Sequence, residues 1–152
     1  MMNLYLAMEV YFGVDVGTGS VRSAAFDRSG NLVGKPAICD IATHAPRPNF
    51  YQQSSRDIWE AVCTTVRQVA ASFGPENEWI VGGIGFDATC SLVLIGRDGN
   101  GISVDPDSDE SEWDVILWMD HSQGLPPTQK INCFKTYRFA TRHSEPRKRP
   151  TI

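Results

Sequence analysis

Val10 to Arg22 constrains this chain more than any other stretch: Val-Tyr-Phe-Gly-Val-Asp-Val-Gly-Thr-Gly-Ser-Val-Arg. Val10, Phe12, Val14 and Val16 alternate with Tyr11, Gly13, Asp15 and Gly17, the period-two pattern of a strand. A glycine turn carrying two hydroxyls, Thr18 and Ser20, follows, and Val21 to Asp27 reads as a second strand. An ionised Asp in an apolar strand is costly to bury unless a charge or hydrogen-bond donors meet it. Two readings of the turn are open. It is an ordinary hairpin whose Asp makes a local Asx turn, or a phosphate cradle beside a carboxylate that steers Mg²⁺. It is not a dinucleotide-binding fingerprint, because Arg22 stands where the third glycine belongs. It is not a P-loop, because no Gly-Lys-Ser/Thr follows.

The turn Asp27-Arg28-Ser29-Gly30 closes a hairpin, with Gly30 at a left-handed position. A third strand runs from about Leu32 to Ile41, and Pro36 places it at a bulge or an edge. The expected opening is an antiparallel three-strand meander. Residues 43–53 read as a loop, in which His44, Tyr51 and Gln52 carry little functional weight. Ser54 then caps a helix, with Asp57 three positions on. Ile58, Val62, Val66 and Val69 recur at helical spacing, and Trp59, Cys63, Ala70 and Phe73 broaden the stripe into a packing face. Gly74-Pro75 ends the helix.

Ile80 to Phe86 reads as a buried, glycine-rich strand that delivers Asp87-Ala88-Thr89-Cys90-Ser91 at its tip. Leu92 to Ile95 leads out as a further strand to the turn at Asp98 to Gly101. The acidic run Asp105 to Asp114 lacks metal-ligand spacing and reads as solvated. Val115 to Met119 reads as a buried strand ending in Asp120-His121.

Charge divides the chain. Residues 122–152 carry seven Lys and Arg against one Glu, with several prolines and no sustained apolar period. The preceding part is strongly acidic, with seventeen acidic residues to seven basic. The expected organisation is a folded unit over 1–121 and a basic irregular tail over 122–152. Arg147-Lys148-Arg149 is short and terminal, which reads as a solvated run and not as a nucleic-acid site. No apolar run is long enough to span a bilayer, Met1 to Ala7 reads as a frayed lead-in and not a secretory signal, and membrane association is not expected. Cys39, Cys63, Cys90 and Cys133 have no C-x-x-C spacing, which suits free thiols of a cytoplasmic protein and not a zinc site.

Asp15 to Arg22 resembles the first phosphate motif of the FGGY carbohydrate kinases, within the actin, Hsp70 and sugar-kinase superfamily. The resemblance extends over Glu9 to about His121 and takes in Trp59, Gly83 to Ser91 and Trp118-Met119-Asp120-His121. Phe86 to Ser91 and Trp118 to His121 look most like the ribulokinase (pentulose kinase) branch, and they disfavour an Hsp70- or actin-like ATPase. The resemblance implies an α/β, ribonuclease-H-like lobe: the meander, then the helix and further strands of a mixed sheet. It implies ATP-dependent phosphoryl transfer to a hydroxyl of a small sugar or polyol, such as ribulose, with Mg²⁺. Carried over by position, Asp15 would hold the metal, Gly17, Thr18, Gly19 and Ser20 the phosphates, and Arg22 would offer charge nearby. Asp87, Ala88 and Thr89 would line the sugar pocket, and Asp120 its floor.

The chain departs from the family at Ser122, where an Arg belongs, and past it only Gln129 to Asn132 echoes the pattern. The family's catalytic base and adenosine-binding domain lie in sequence absent here, so a truncated lobe inactive by itself is expected. The other reading is a non-catalytic sugar- or phosphate-binding module, self-associating or paired with a full-length kinase.

Overall fold

The computed structural model describes residues 7–74 and 78–122. The expectations for the lead-in, Pro75, Cys133 and the basic segment from 123 onward lie outside the described residues.

Alternation of apolar and small residues builds the first sheet. Strands β1 (Met8–Val16), β2 (Ser20–Phe26) and β3 (Leu32–Asp40) form the antiparallel meander. β3 ends the sheet, and Gly34, Lys35 and Pro36 bulge opposite Ala24, so Pro36 sits at both a bulge and an edge. Helix α1 (Ser55–Ala71) follows, and β5 (Trp79–Ala88) returns parallel to β1, giving the order β3-β2-β1-β5. A second sheet has the order β4-β7-β6, from Gln52–Gln53, Val115–Ile116 and Leu92–Val93.

Helix α1 begins where Ser54 accepts the Asp57 N–H at 3.3 Å. It ends at Ser72, ahead of Gly74-Pro75. Its apolar face packs on the meander in two adjoining clusters. Val10, Phe12, Ala25, Val69 and Phe73 form one, and Val14, Val21, Ile41, Ala61 and Val62 the other. The Phe73 and Trp79 rings meet edge to face at 4.8 Å. Ser23 and Thr65 share a buried hydrogen bond of 2.7 Å between β2 and α1, so neither hydroxyl is stranded in the core.

Several expectations need correction. Trp59 is not a packing residue: it is 62% exposed, on the flank of α1. β5 is not buried, since Ile80, Val81, Ile84 and Phe86 are all exposed. Its outer edge pairs with no other described strand, so apolar composition here does not mean burial. The strand after Ser91 is only two residues long, and Ile95 makes an isolated bridge to Gly101. The run from Val115 is buried at Val115 and Leu117, but Trp118 is exposed. The acidic segment is not simply solvated. Asp105 accepts Arg47 at 2.6 Å, and Asp114, 3% exposed, accepts the Ser55 N–H and hydroxyl at the start of α1. Gln52 and Gln53, read as loop, form a buried strand.

The β2–β3 turn is held by Asp27, whose carboxylate accepts the Ser29 and Asn31 N–H groups and the Asn31 side chain. Gly30 sits at φ +82°, as the turn requires. The Asn31 side chain first, and the backbone donors after it, hold the Asp27 carboxyl below its usual range. A depressed carboxyl lends stability above its unfolded value and loses it as pH falls through its folded value. Asp27→Ala is therefore expected to melt below the parent at pH 7 and to converge with it in strong acid, by circular dichroism. A melting gap that stays constant down to pH 2 would contradict this.

No described helix is long and apolar enough to cross a membrane. Cys39, Cys63 and Cys90 are free thiols.

A candidate phosphate and sugar site at the ends of two parallel strands

In β1, Val10, Phe12 and Val14 face α1, so alternation turns Tyr11, Gly13 and Asp15 to the opposite face. β2 pairs antiparallel and places Arg22 directly across from Asp15. The Arg22 guanidinium donates to Asp15 Oδ2 at 3.1 Å. Both side chains are about half exposed or more, so this pair contributes only about 0–1 kcal/mol to stability. Its consequence is orientation of the carboxylate.

β5 adds a relation that local sequence pattern does not show. It runs parallel to β1 with Asp15 opposite Asp87 and Val16 opposite Ala88. Register neighbours in a sheet share a face, so two carboxylates stand side by side with one guanidinium between β1 and β2. Asp87 Oδ1 accepts its neighbour's N–H, from Ala88, at 3.0 Å. The only sequence signal for this pairing is that both Asp residues end apolar strands just before small polar residues. Asp15, Arg22 and Asp87 line one end of an open groove of about 600 Å³, whose remaining wall includes Phe26, Ile38 and Phe86.

The turn after β1 is braced from within. Gly17 N–H donates to the Ser20 carbonyl at 3.0 Å, the Gly19 carbonyl accepts the Ile41 N–H at 3.1 Å, and the Thr89 N–H reaches Val16 O at 3.0 Å. A Cβ at Gly17 would lie 3.2 Å from the Ser20 carbonyl oxygen, a tight contact that the turn would have to ease by a few tenths of an ångström. Gly17 thus spends its N–H inside the turn. The Thr18 and Gly19 N–H groups and the Ser20 hydroxyl have no partner among the described residues. They are the donors such a turn can offer an anion.

Asp120 stands apart from this groove. One oxygen accepts the Tyr51 N–H at 2.7 Å, and the other accepts the Ser122 N–H at 2.9 Å and the Ser122 hydroxyl. Ala88, Thr89 and Asp120 do not line the groove, although Thr89 is tied to the turn through Val16. Two residues to which the sequence assigns no role at the turn touch it. Gln53 Nε2 donates to the Thr18 carbonyl at 2.7 Å, and the Trp118 indole donates to Thr18 Oγ1 at 3.0 Å.

Magnesium favours oxygen ligands, one or two carboxylates together with phosphate and water. The Asp15–Asp87 pair beside free N–H groups fits that donor set, and Asp15 has no described partner except Arg22. Among the described residues, no three His, Cys, Asp or Glu side chains gather into a larger metal cluster.

The N-terminal domain of the FGGY family of carbohydrate kinases matches residues 10–98. A D-ribulokinase of Saccharomyces cerevisiae is 46% identical over 123 residues, covering 80% of this chain and 17% of the relative. A human FGGY carbohydrate kinase domain-containing protein is 42% identical over 124 residues, covering 80% and 21%. The chain thus spans about a fifth of the length of the curated relatives it matches. Among solved structures, xylulose kinase from Rhodospirillum rubrum superposes with a TM-score of 0.62 at 18% identity, over 73% of this chain and 20% of that one. Gluconate kinase from Lactobacillus acidophilus gives 0.59 at 18% identity, over 75% and 20%. The mixed sheet and its helix are therefore the sugar-kinase lobe that the sequence implied, and the chain belongs to the FGGY family of carbohydrate kinases.

Proposed function

We propose that this chain carries the phosphate-binding turn and part of the sugar pocket of an ATP-dependent pentulose kinase, with a ribulose as acceptor. The observation that carries the reading is the register of β1 against β5, which pairs Asp15 with Asp87 beside a turn whose Thr18 and Gly19 N–H groups have no partner among the described residues. The choice of ribulose follows the 46% identity to a D-ribulokinase and the Phe86 to Ser91 and Trp118 to His121 blocks.

Asp15 is the proposed magnesium ligand, held in direction by Arg22. Magnesium bound there supplies positive charge that offsets the charge developing on the transferred phosphoryl oxygens. Thr18 and Gly19 offer backbone N–H groups to the β- and γ-phosphates, Ser20 offers its hydroxyl, and Gly17 closes the turn. Arg22 adds positive charge at the groove mouth. Asp87, with Ala88 and Thr89 beyond it, is the proposed acceptor of hydrogen bonds from sugar hydroxyls, and the role proposed for Asp120, which lies outside the groove, is to fix the Tyr51 backbone. In-line transfer also needs a base to take the hydroxyl proton. We assign none of the described residues to that step; the role proposed for them is binding of sugar and phosphate.

A ligand that binds only the folded state raises the melting temperature. With magnesium tripolyphosphate present, D-ribulose is expected to raise it more than L-ribulose, xylulose or glycerol does. Equal shifts from all four, or none from any, would count against the pentulose assignment.

A further inference from the structure

Thr18 is held at two atoms, its carbonyl by Gln53 of the second sheet and its hydroxyl by Trp118 just beyond that sheet. Gln53, on β4, is 2% exposed and directs its amide nitrogen at the Thr18 carbonyl, 2.7 Å away, and at Thr43 Oγ1, 3.3 Å away. Trp118, just past β7, donates to the Thr18 hydroxyl at 3.0 Å. These bonds join residues 35 and 100 positions apart in the chain, so they hold the turn by tertiary structure and not by local geometry.

The consequence follows from peptide planarity. In a trans peptide the carbonyl and the next N–H point in opposite directions. With the Thr18 carbonyl drawn toward buried Gln53, the Gly19 N–H of the same peptide plane is turned away from Gln53. That N–H has no partner among the described residues. A glycine in this plane gives little resistance to a flip, because it has no Cβ to bar the alternative conformation. Gln53 is the group that selects one orientation.

We propose that Gln53 is a positioning residue that aims the Gly19 N–H at the bound phosphate, with Trp118 fixing the Thr18 side chain beside it. The proposal rests on the reading of this turn as a phosphate site. Gln53→Met keeps length and bulk while removing the donor.

The test is an amide NMR titration of the ¹⁵N-labelled 152-residue chain with magnesium tripolyphosphate and, separately, with D-ribulose. In the parent, the Gly19 amide resonance is expected to move on adding tripolyphosphate. In Gln53→Met, tripolyphosphate affinity is expected to fall about tenfold, the size of one lost charge-assisted hydrogen bond, while D-ribulose affinity stays within about twofold. A purely structural role would lower both affinities together or leave both intact while lowering the melting temperature, and either result overturns the proposal. A Gly19 resonance that stays still while the parent binds tripolyphosphate also overturns it, whether or not the variant folds. A parent that binds no tripolyphosphate overturns the site reading and this proposal with it.

Discussion

Asp15→Asn is expected to weaken magnesium tripolyphosphate binding by about 30-fold or more, because it removes a charged contact worth about 2 kcal/mol or more. The fold should barely notice. The carboxylate's one described partner is Arg22, in an ion pair open to water, and such pairs contribute about 0–1 kcal/mol. A large affinity loss with a nearly unchanged melting temperature is the signature of a binding residue. Isothermal titration alongside thermal melting reads both quantities. Asp87→Asn is the natural companion, because Asp87 faces Asp15 across the β1–β5 register. Under the roles proposed above it should cost more in D-ribulose affinity than in tripolyphosphate affinity. Asp15→Asn binding tripolyphosphate like the parent would remove Asp15 from the site.

Gly34→Ala carries the largest expected cost to stability. Gly34 lies in the β3 bulge at φ +67°, a backbone conformation that side chains with a Cβ adopt at a penalty. A Cβ there would also press on the Ser72 hydroxyl and stand 2.8 Å from the Phe73 ring. Neither neighbour is free to yield. Ser72 Oγ accepts the Lys35 N–H at 2.8 Å and donates to the Val69 carbonyl at 2.6 Å, while Phe73 belongs to the core beside Phe12. Strain and overpacking each cost about 1–3 kcal/mol, so a loss of about 2–4 kcal/mol is expected. Urea unfolding of parent and variant measures it, and a difference under about 0.5 kcal/mol would contradict the packing described here.

Much of this fold was legible because local patterns and tertiary structure agree. Alternation from Val10 to Val16, the left-handed Gly30 and the Ser54 cap each needed only a few neighbouring residues to specify them, and the structure realises all three. The corrections fall where a distant partner decides the outcome. Asp114 looks like one more charge in an acidic run until Ser55, 59 residues earlier, supplies two donors to it. Gln53 looks like loop until its amide meets Thr18. Trp59 sits at a spacing that helix periodicity assigns to the packing face, yet the buried face of α1 runs through Ala61, Val62, Thr65 and Val69 and leaves Trp59 62% exposed. For β5, an apolar run reads as buried, but periodicity reports only what the residues are, not whether other chain lies over them.

The candidate site divides in the same way. Asp15, the turn and Asp87 were each legible as motifs with a resemblance behind them. Their juxtaposition was not, because parallel register between strands separated by a helix leaves no trace in local spacing. The link of Gln53 and Trp118 to the turn is illegible for a related reason: each reaches Thr18 through a single hydrogen bond, from β4 and from just past β7.

The most direct measurement is crystallographic. Crystals of the chain grown with Mn²⁺ and tripolyphosphate, recorded at a wavelength where manganese scatters anomalously, locate the cation without reference to any activity. The account predicts an anomalous peak at the Asp15 carboxylate, bound directly at about 2.0–2.2 Å or through one water, with tripolyphosphate oxygens within hydrogen-bond reach of the Thr18 and Gly19 N–H groups. A cation and tripolyphosphate bound elsewhere, leaving Asp15 paired only with Arg22, would contradict it.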